Sequence, residues 1–355
     1  VLEQIGATLL KHHTYDSAVT AYERAIALQP GSATLRYGAA LAYLGVGRLD
    51  AATESVQQAL KQQPVYPEAL ALLGDIALRR GKLPEAEQQY RAALQQNPAL
   101  AAAHIGLGRV AAAGGNWSIA AGHFLNAVQG DPQSPDASLW LGEARLRIGD
   151  GAGAITAYQQ SLQLRGDFPE ALFGLAQAQL GAGRVEEALD NVNRALEQRP
   201  RYAEALLLLG KIYEQQGYST RALEAYKQAI DANPRLAEPH YRRALLLIRA
   251  DRLNEARNDL EIAARLEPNF AEAHYWLGRV YFAQRNFQAA VNRFREAVNR
   301  RNGNYPEARY YQGRTEEQLG DLNAAIRSFE TVANQSDDPL WAAEARAALA
   351  RLSDR

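Results

Sequence analysis

The sequence predicts an all-α protein built from tandem helical hairpins, and three observations carry that expectation. Pro30, Pro64, Pro98, Pro132, Pro200, Pro234 and Pro268 lie 34 residues apart or twice that, with Gly166 at the vacant place. A constant period of this size marks a repeat array. Small residues keep the same clock. Ala18, Ala52, Ala86, Ala120, Ala154, Ala188, Ala222, Ala256 and Ala290 form one register, and a second lies seven residues on, from Ala25 to Ala297, with only the equally small Ser161 departing. The composition agrees: 47% hydrophobic residues with abundant alanine, 8% aromatic and 22% charged favour helix over sheet.

Taken in chain order, the first unit begins inside its leading helix, since Val1 already falls within the repeat frame. The chain is therefore expected to be a fragment or a processed form of something longer, with an apolar helix face left open at its start. Each full unit then reads as two helices. In the seventh, "AEALLLLGKIYEQQG" has helical periodicity and stops at Gly217, and "STRALEAYKQAIDANP" begins on a Ser/Thr cap and ends at Pro234. The alanine registers let helices approach closely, and each proline breaks the chain before the next unit. A tenth unit follows one extra residue near Gly303. It keeps Gly313, Gly320, Ala325 and Phe329 in place, with Val332 where alanine is expected. "PLWAAEARAALARL", 339–352, reads as an amphipathic helix closing the last unit's apolar face. The expected organisation is one continuous array over 1–338 and a closing helix and tail over 339–355.

These spacings resemble the tetratricopeptide repeat (TPR). In the ninth unit the matching residues are Leu277, Gly278, Tyr281, Ala290, Phe294 and Ala297; in the third they are Leu73, Gly74, Ala86, Tyr90, Ala93 and Pro98. The resemblance covers nearly the whole chain. It implies a right-handed superhelical solenoid of about ten repeats whose concave surface is lined by one face of each leading helix.

Counted from the start of a repeat, core positions 4, 7, 8 and 11 cluster on one side of the leading helix and positions 2, 5, 9 and 12 on the other. Along that second face the early repeats offer a mainly aliphatic lining: Tyr37, Leu41, Leu44, Leu72, Leu78 and Ile105. The middle is polar, with Arg109, Glu143, Gln177 and Lys211. The last three repeats present Tyr241, Arg242, Tyr275, Trp276, Arg279, Phe282, Tyr310, Tyr311 and Arg314. Trp276 stands at position 6, about 200° from the preferred aromatic core place, and is expected off the core. Aromatic side chains give large contact area, and arginine holds a carboxylate through two parallel hydrogen bonds, so this cluster suits an acidic or C-terminal peptide. The same rings and guanidiniums could equally stack to hold repeats together.

His104, His240 and His274 occupy the buried register and read as packing residues rather than metal ligands. Glu68, Glu170, Glu204, Glu238, Glu272 and Glu307 fall in the first turn of successive leading helices, where they complement the helix dipole and cap the end. The lysine and asparagine carboxylate clamp of chaperone-binding TPR domains is absent: Glu3 and Ala7, Tyr37 and Leu41, and Tyr241 and Leu245 stand in its place.

No catalytic constellation emerges. "GLGRVA", 106–111, only loosely matches a dinucleotide fingerprint, because Gly108 is the repeat glycine inside a helix with no strand before it. With no cysteine, thiolate metal sites and disulfides are excluded. A net charge of −1 gives no electrostatic pull toward nucleic acid or an anionic membrane, and no apolar run is long enough to span a bilayer. The reading is a non-catalytic scaffold, without cofactor or metal, that holds protein or peptide partners. The alternative is a substrate-recruiting or regulatory arm of a larger enzyme whose catalytic domain lies outside this chain. Self-association through the open first repeat is a further expectation. No lysine follows Lys227, and arginine carries the positive charge from there on, a bias that a GC-rich bacterial genome would produce. Bacterial cytoplasm and cell envelope both stay open.

Overall fold

The computed structural model describes residues 1–353, and among them every regular element is a helix. The chain divides into two compact units, Val1–Asn191 and Val192 onward. The first holds α1 (Leu2–Lys11), α2 (Tyr15–Leu28), α3 (Ala33–Gly45), α4 (Leu49–Gln62), α5 (Pro67–Arg79) and α6 (Leu83–Gln96). It continues with α7 (Ala101–Ala113), α8 (Trp117–Gly130), α9 (Pro135–Arg147), α10 (Gly151–Leu164) and α11 (Pro169–Gly181). Helix α12 (Val185–Gln198) spans the division. The second unit holds α13 (Ala203–Gln215), α14 (Ser219–Ala232), α15 (Ala237–Arg249), α16 (Leu253–Leu266) and α17 (Ala271–Ala283). It ends with α18 (Phe287–Arg300), α19 (Pro306–Gln318), α20 (Leu322–Gln335) and α21 (Pro339–Ser353). Within each unit, leading and trailing helices pair as hairpins, and each hairpin packs on the next.

Local chemistry explains the boundaries. Trailing helices end two residues before the repeat proline, as α14 does at Ala232, with Asn233 as its C-cap before Pro234. Several leading helices open on proline at the first helical position, among them α5, α9 and α19, where its missing N–H is no loss. The turn inside each hairpin needs a left-handed residue, supplied by Gly217 at φ +80° after α13. At the same place after α15 and α17 stand Asp251 and Arg285, at φ 58° and 60°. The expected Ser/Thr cap of α14 is not found: Tyr218 is the N-cap and Ser219 is already helical, with no side-chain cap bond. The turn geometry starts this helix without one.

The core is an interlock of glycine and aromatic. A Cβ on Gly278 of α17 would stand 2.7 Å from Cε1 of Phe294 on α18, and one on Gly74 of α5 would stand 2.5 Å from Cε1 of Tyr90 on α6. Only glycine lets the fully buried ring lie against the leading helix, and the alanine registers are buried around it. At the far end Ala342, Ala345 and Ala348 of α21 are buried, and Trp341, Leu349 and Leu352 join the cluster of Tyr310, Phe329 and Val332. The closing helix thus covers the apolar side of α19 and α20. The last two residues of the tail lie outside the described residues. Among the described residues no helix is long and apolar enough to cross a membrane.

Candidate functional site

In the second unit α17 and α19 bring most of the expected cluster together around Arg279. Its Cζ lies 4.1 Å from the ring centre of Tyr311, 5.5 Å from Trp276 and 5.8 Å from Tyr275. Its Nη1 donates to the Tyr275 hydroxyl at 2.7 Å, and that hydroxyl in turn donates to Glu307. Burial, and then the hydrogen bond to Glu307, push the Tyr275 phenol well above the usual tyrosine range, so it stays a neutral donor. Arg279 therefore reaches a carboxylate only through a phenol and keeps its guanidinium against aromatic faces.

Placement differs from expectation for two residues. Tyr275 is 1% exposed and Tyr310 6%, so neither presents a ring to solvent. Each ring packs on its own hairpin, Tyr275 at 6.0 Å from Phe294 and Tyr310 at 5.6 Å from Phe329, and the next element completes the cover: Tyr305 lies 5.5 Å from Tyr275, and Trp341 of α21 lies 5.3 Å from Tyr310. These rings form the floor of the cluster. Trp276, Phe282, Tyr311 and Arg314 are half-buried and form its upper surface. Trp276 is neither free nor fully in the core, packing on the clusters of both α15/α16 and α17/α18. Tyr241 lies 4.7 Å from Phe270. Arg242 is engaged with Glu238 at 3.3 Å and Glu214 at 3.7 Å, which neutralises it.

Charge along position 9 separates the repeats. Arg109 has Asp75 at 3.9 Å, and Lys211 has Glu238 at 2.7 Å. Arg279 has no direct ion pair, and Arg314 has neither a hydrogen bond nor an ion pair among the described residues. Two successive leading helices thus offer cations without acids beside half-exposed rings.

The aliphatic lining of the first unit is partly core. Leu44 is 8% exposed and Leu72 3%, both in the cluster with Ala52, Val56 and Ile76. Tyr37 and Leu41 pack on its edge, Leu78 on the next cluster and Ile105 on the one around Phe124. Burial pushes Tyr37 up to about 12, with smaller contributions from Tyr66, Glu68 and Asp75. At Leu44 and Leu72 the side chain is short enough for the adjoining hairpin to close over it, while Leu41 and Leu78 stay half-buried.

The histidines are built into the framework. His104 Nε2 meets the Pro98 carbonyl at 3.0 Å and His274 Nε2 that of Pro268 at 3.1 Å, which ties the leading helix to the turn before it. His240 instead joins a buried group: its Nδ1 lies 3.0 Å from Asp259 Oδ1, while Arg243 donates to both Asp259 oxygens at 2.7 Å. This triad was not anticipated, although Arg243 standing at the leucine position of its repeat is a readable signal. Trp341, Tyr305 and the bridging role of Glu307 were likewise missed, because they depend on contacts between repeats. Three of the first-turn glutamates make cross-repeat bonds, Glu238 to Lys211, Glu272 to Arg301 and Glu307 to Tyr275.

Comparison with known proteins agrees with this architecture. The tetratricopeptide repeat family matches at residues 4–52, 37–101, 105–169, 173–237, 241–304 and 278–339. The solved structure of PilF from Pseudomonas aeruginosa is similar to this chain, with 17% identity over 60% of this chain and 96% of that one and a TM-score of 0.54. YrrB, described as a TPR protein with an unusual peptide-binding site, shares 22% identity over 56% and 99% of the two chains with a TM-score of 0.46. MamA shares 24% over 46% and 96% with a TM-score of 0.41. No curated protein matches. With family matches tiling both units, the chain belongs to the tetratricopeptide repeat family, a class of protein-interaction scaffolds.

Proposed function

We propose that this chain is a non-catalytic scaffold that holds an acidic or C-terminal peptide of a partner protein against α17 and α19, within a larger assembly. The carrying observation is the pair of arginines, Arg279 and Arg314, that lack acids at a position where other repeats neutralise their cations. A carboxylate brought to this surface gains charge-assisted hydrogen bonds that no side chain of the protein already supplies. Trp276, Phe282 and Tyr311 supply half-exposed rings whose burial adds apolar contact. Glu307 is occupied by the Tyr275 hydroxyl, which limits its repulsion of an incoming acid.

The test compares the protein with a Trp276→Ala, Arg279→Ala, Arg314→Ala variant. Tyr275 and Tyr310 stay in place because they are core. Circular dichroism establishes that the variant keeps its helices, and both proteins are then probed with an array of peptides bearing free or amidated C-termini. Free-acid binders that weaken at least about tenfold in the variant support the proposal. An identical binding profile for the two proteins removes this cluster as the binding surface.

A further inference from the structure

The junction between α18 and α19 is longer than those before it. Helices α2 and α3 are joined by residues 29–32, whereas α18 and α19 are joined by 301–305, one residue longer. Asn302 and Gly303 in this longer turn are left-handed, at φ 52° and 85°. Beside the turn lies a cavity of about 260 Å³, lined among others by Asn302, Gly303, Asn304, Arg309, Gln335 and Asp337.

Arg309 holds the register at which His104 and His274 bond the carbonyl of the preceding turn. Gly303 comes close enough for an added Cβ to stand 3.7 Å from Arg309 Nη2, yet the Arg309 side chain makes no hydrogen bond or ion pair among the described residues, and its Nε is buried without an acceptor. A guanidinium with a buried N–H left unmatched is costly. The cavity it faces is otherwise furnished with amides that can accept or donate.

We propose that this cavity binds a single carboxylate, anchored by Arg309 and flanked by the side-chain amides of Asn302, Asn304 and Gln335. Asp337 on the lining forms no ion pair with Arg309. Its negative charge disfavours a dianion such as phosphate more than a monoanion. The carboxylate comes either from a free small acid or from a chain terminus of a partner. This site is separate from the Arg279 and Arg314 surface and does not depend on it.

The experiment is an NMR titration of the ¹⁵N-labelled protein with sodium acetate against sodium chloride at equal ionic strength. It follows the Arg309 Nε–H and the side-chain amides of Asn304 and Gln335. Arg36 serves as internal reference, having the same register and an equally unpartnered buried Nε beside a turn of ordinary length. A saturable shift at Arg309 with acetate, not chloride, and little change at Arg36 is the expected result. Arg309→Gln, read on the amides, should weaken it at least about tenfold, and Asp337→Asn should tighten it about twofold. Inorganic phosphate should bind more weakly than acetate. A short peptide acid binding well above acetate while its amide does not would assign a protein terminus, and acetate binding with the peptide excluded would assign a free acid. A response that is linear, shared by Arg36, or unchanged in Arg309→Gln overturns the proposal.

Discussion

Leu72 in the first unit and Trp276 in the second hold the same place in their repeats, as do Leu44 and Phe282. The two leucines are buried to 3% and 8% exposure, while the tryptophan and the phenylalanine are only half covered. Direction along the helix is the same in each pair. What differs is reach: a leucine ends beneath the adjoining hairpin, and a larger ring extends beyond it. The cores differ in the same way. Leu107 in the first unit is a buried apolar side chain, and Arg243 at its register in the second is tied to Asp259 and His240. At this register the second unit also buries Leu209 and Leu277, so the paired Arg243 is particular to its own repeat.

The largest test of that contrast is Asp259→Ala. It leaves a guanidinium and an imidazole without their acid in a nearly closed site, and should destabilise the protein by about 3–5 kcal/mol in urea unfolding. The counterpart in the first unit is His123→Ala, which removes a 3.4 Å contact between His104 and His123. It should cost only about 1 kcal/mol, and equal losses would break the comparison. Asp259 also has a pH signature. Burial raises its carboxyl, but hydrogen bonds from His240 and Arg243 outweigh this and hold it below the usual range. A depressed acid contributes stability above its unfolded value that is lost as pH falls through the folded one. Unfolding midpoints should accordingly drop below about pH 4, and less steeply in Asp259→Asn.

Next in size are Gly278→Ala and Gly74→Ala. Both press a Cβ into a ring with no room to move, and each should cost about 1–3 kcal/mol. Similar losses would show that the interlock is common to both units and that the contrast lies outside it. Smallest is the hairpin turn. Gly81 and Gly115 in the first unit already carry its left-handed residue, and Asp251 and Arg285 carry it in the second. Replacing either with glycine should stabilise by roughly 0.5–1 kcal/mol, the relief of strain exceeding the added chain entropy. A loss of stability on thermal unfolding would mean that these side chains make contacts of greater worth.

Much of the candidate surface was readable beforehand. Register placed Trp276, Arg279, Phe282, Tyr311 and Arg314 on a shared face, and they do lie at or near the surface of neighbouring helices. Tyr275 and Tyr310 were readable in direction but not in burial, because their cover comes from Tyr305 and Trp341, in the next turn and in the closing helix. The neutralisation of Arg242 by Glu214 and Glu238 was hidden for the same reason, since one of its partners lies in the neighbouring repeat.

Features that depend on neighbours a few residues away were decided by sequence alone. They include the 34-residue period, the hairpin, the breaks at proline and the apolar side of the closing helix, all set by backbone geometry and side-chain periodicity. Tertiary structure alone decided which members of the outer face sank and which cations found acids. It also left Arg309 without an acceptor beside an opened turn. The physical reason is that burial and pairing are settled between helices roughly 34 residues apart in sequence, where side-chain length and the neighbour's own side chains set the outcome.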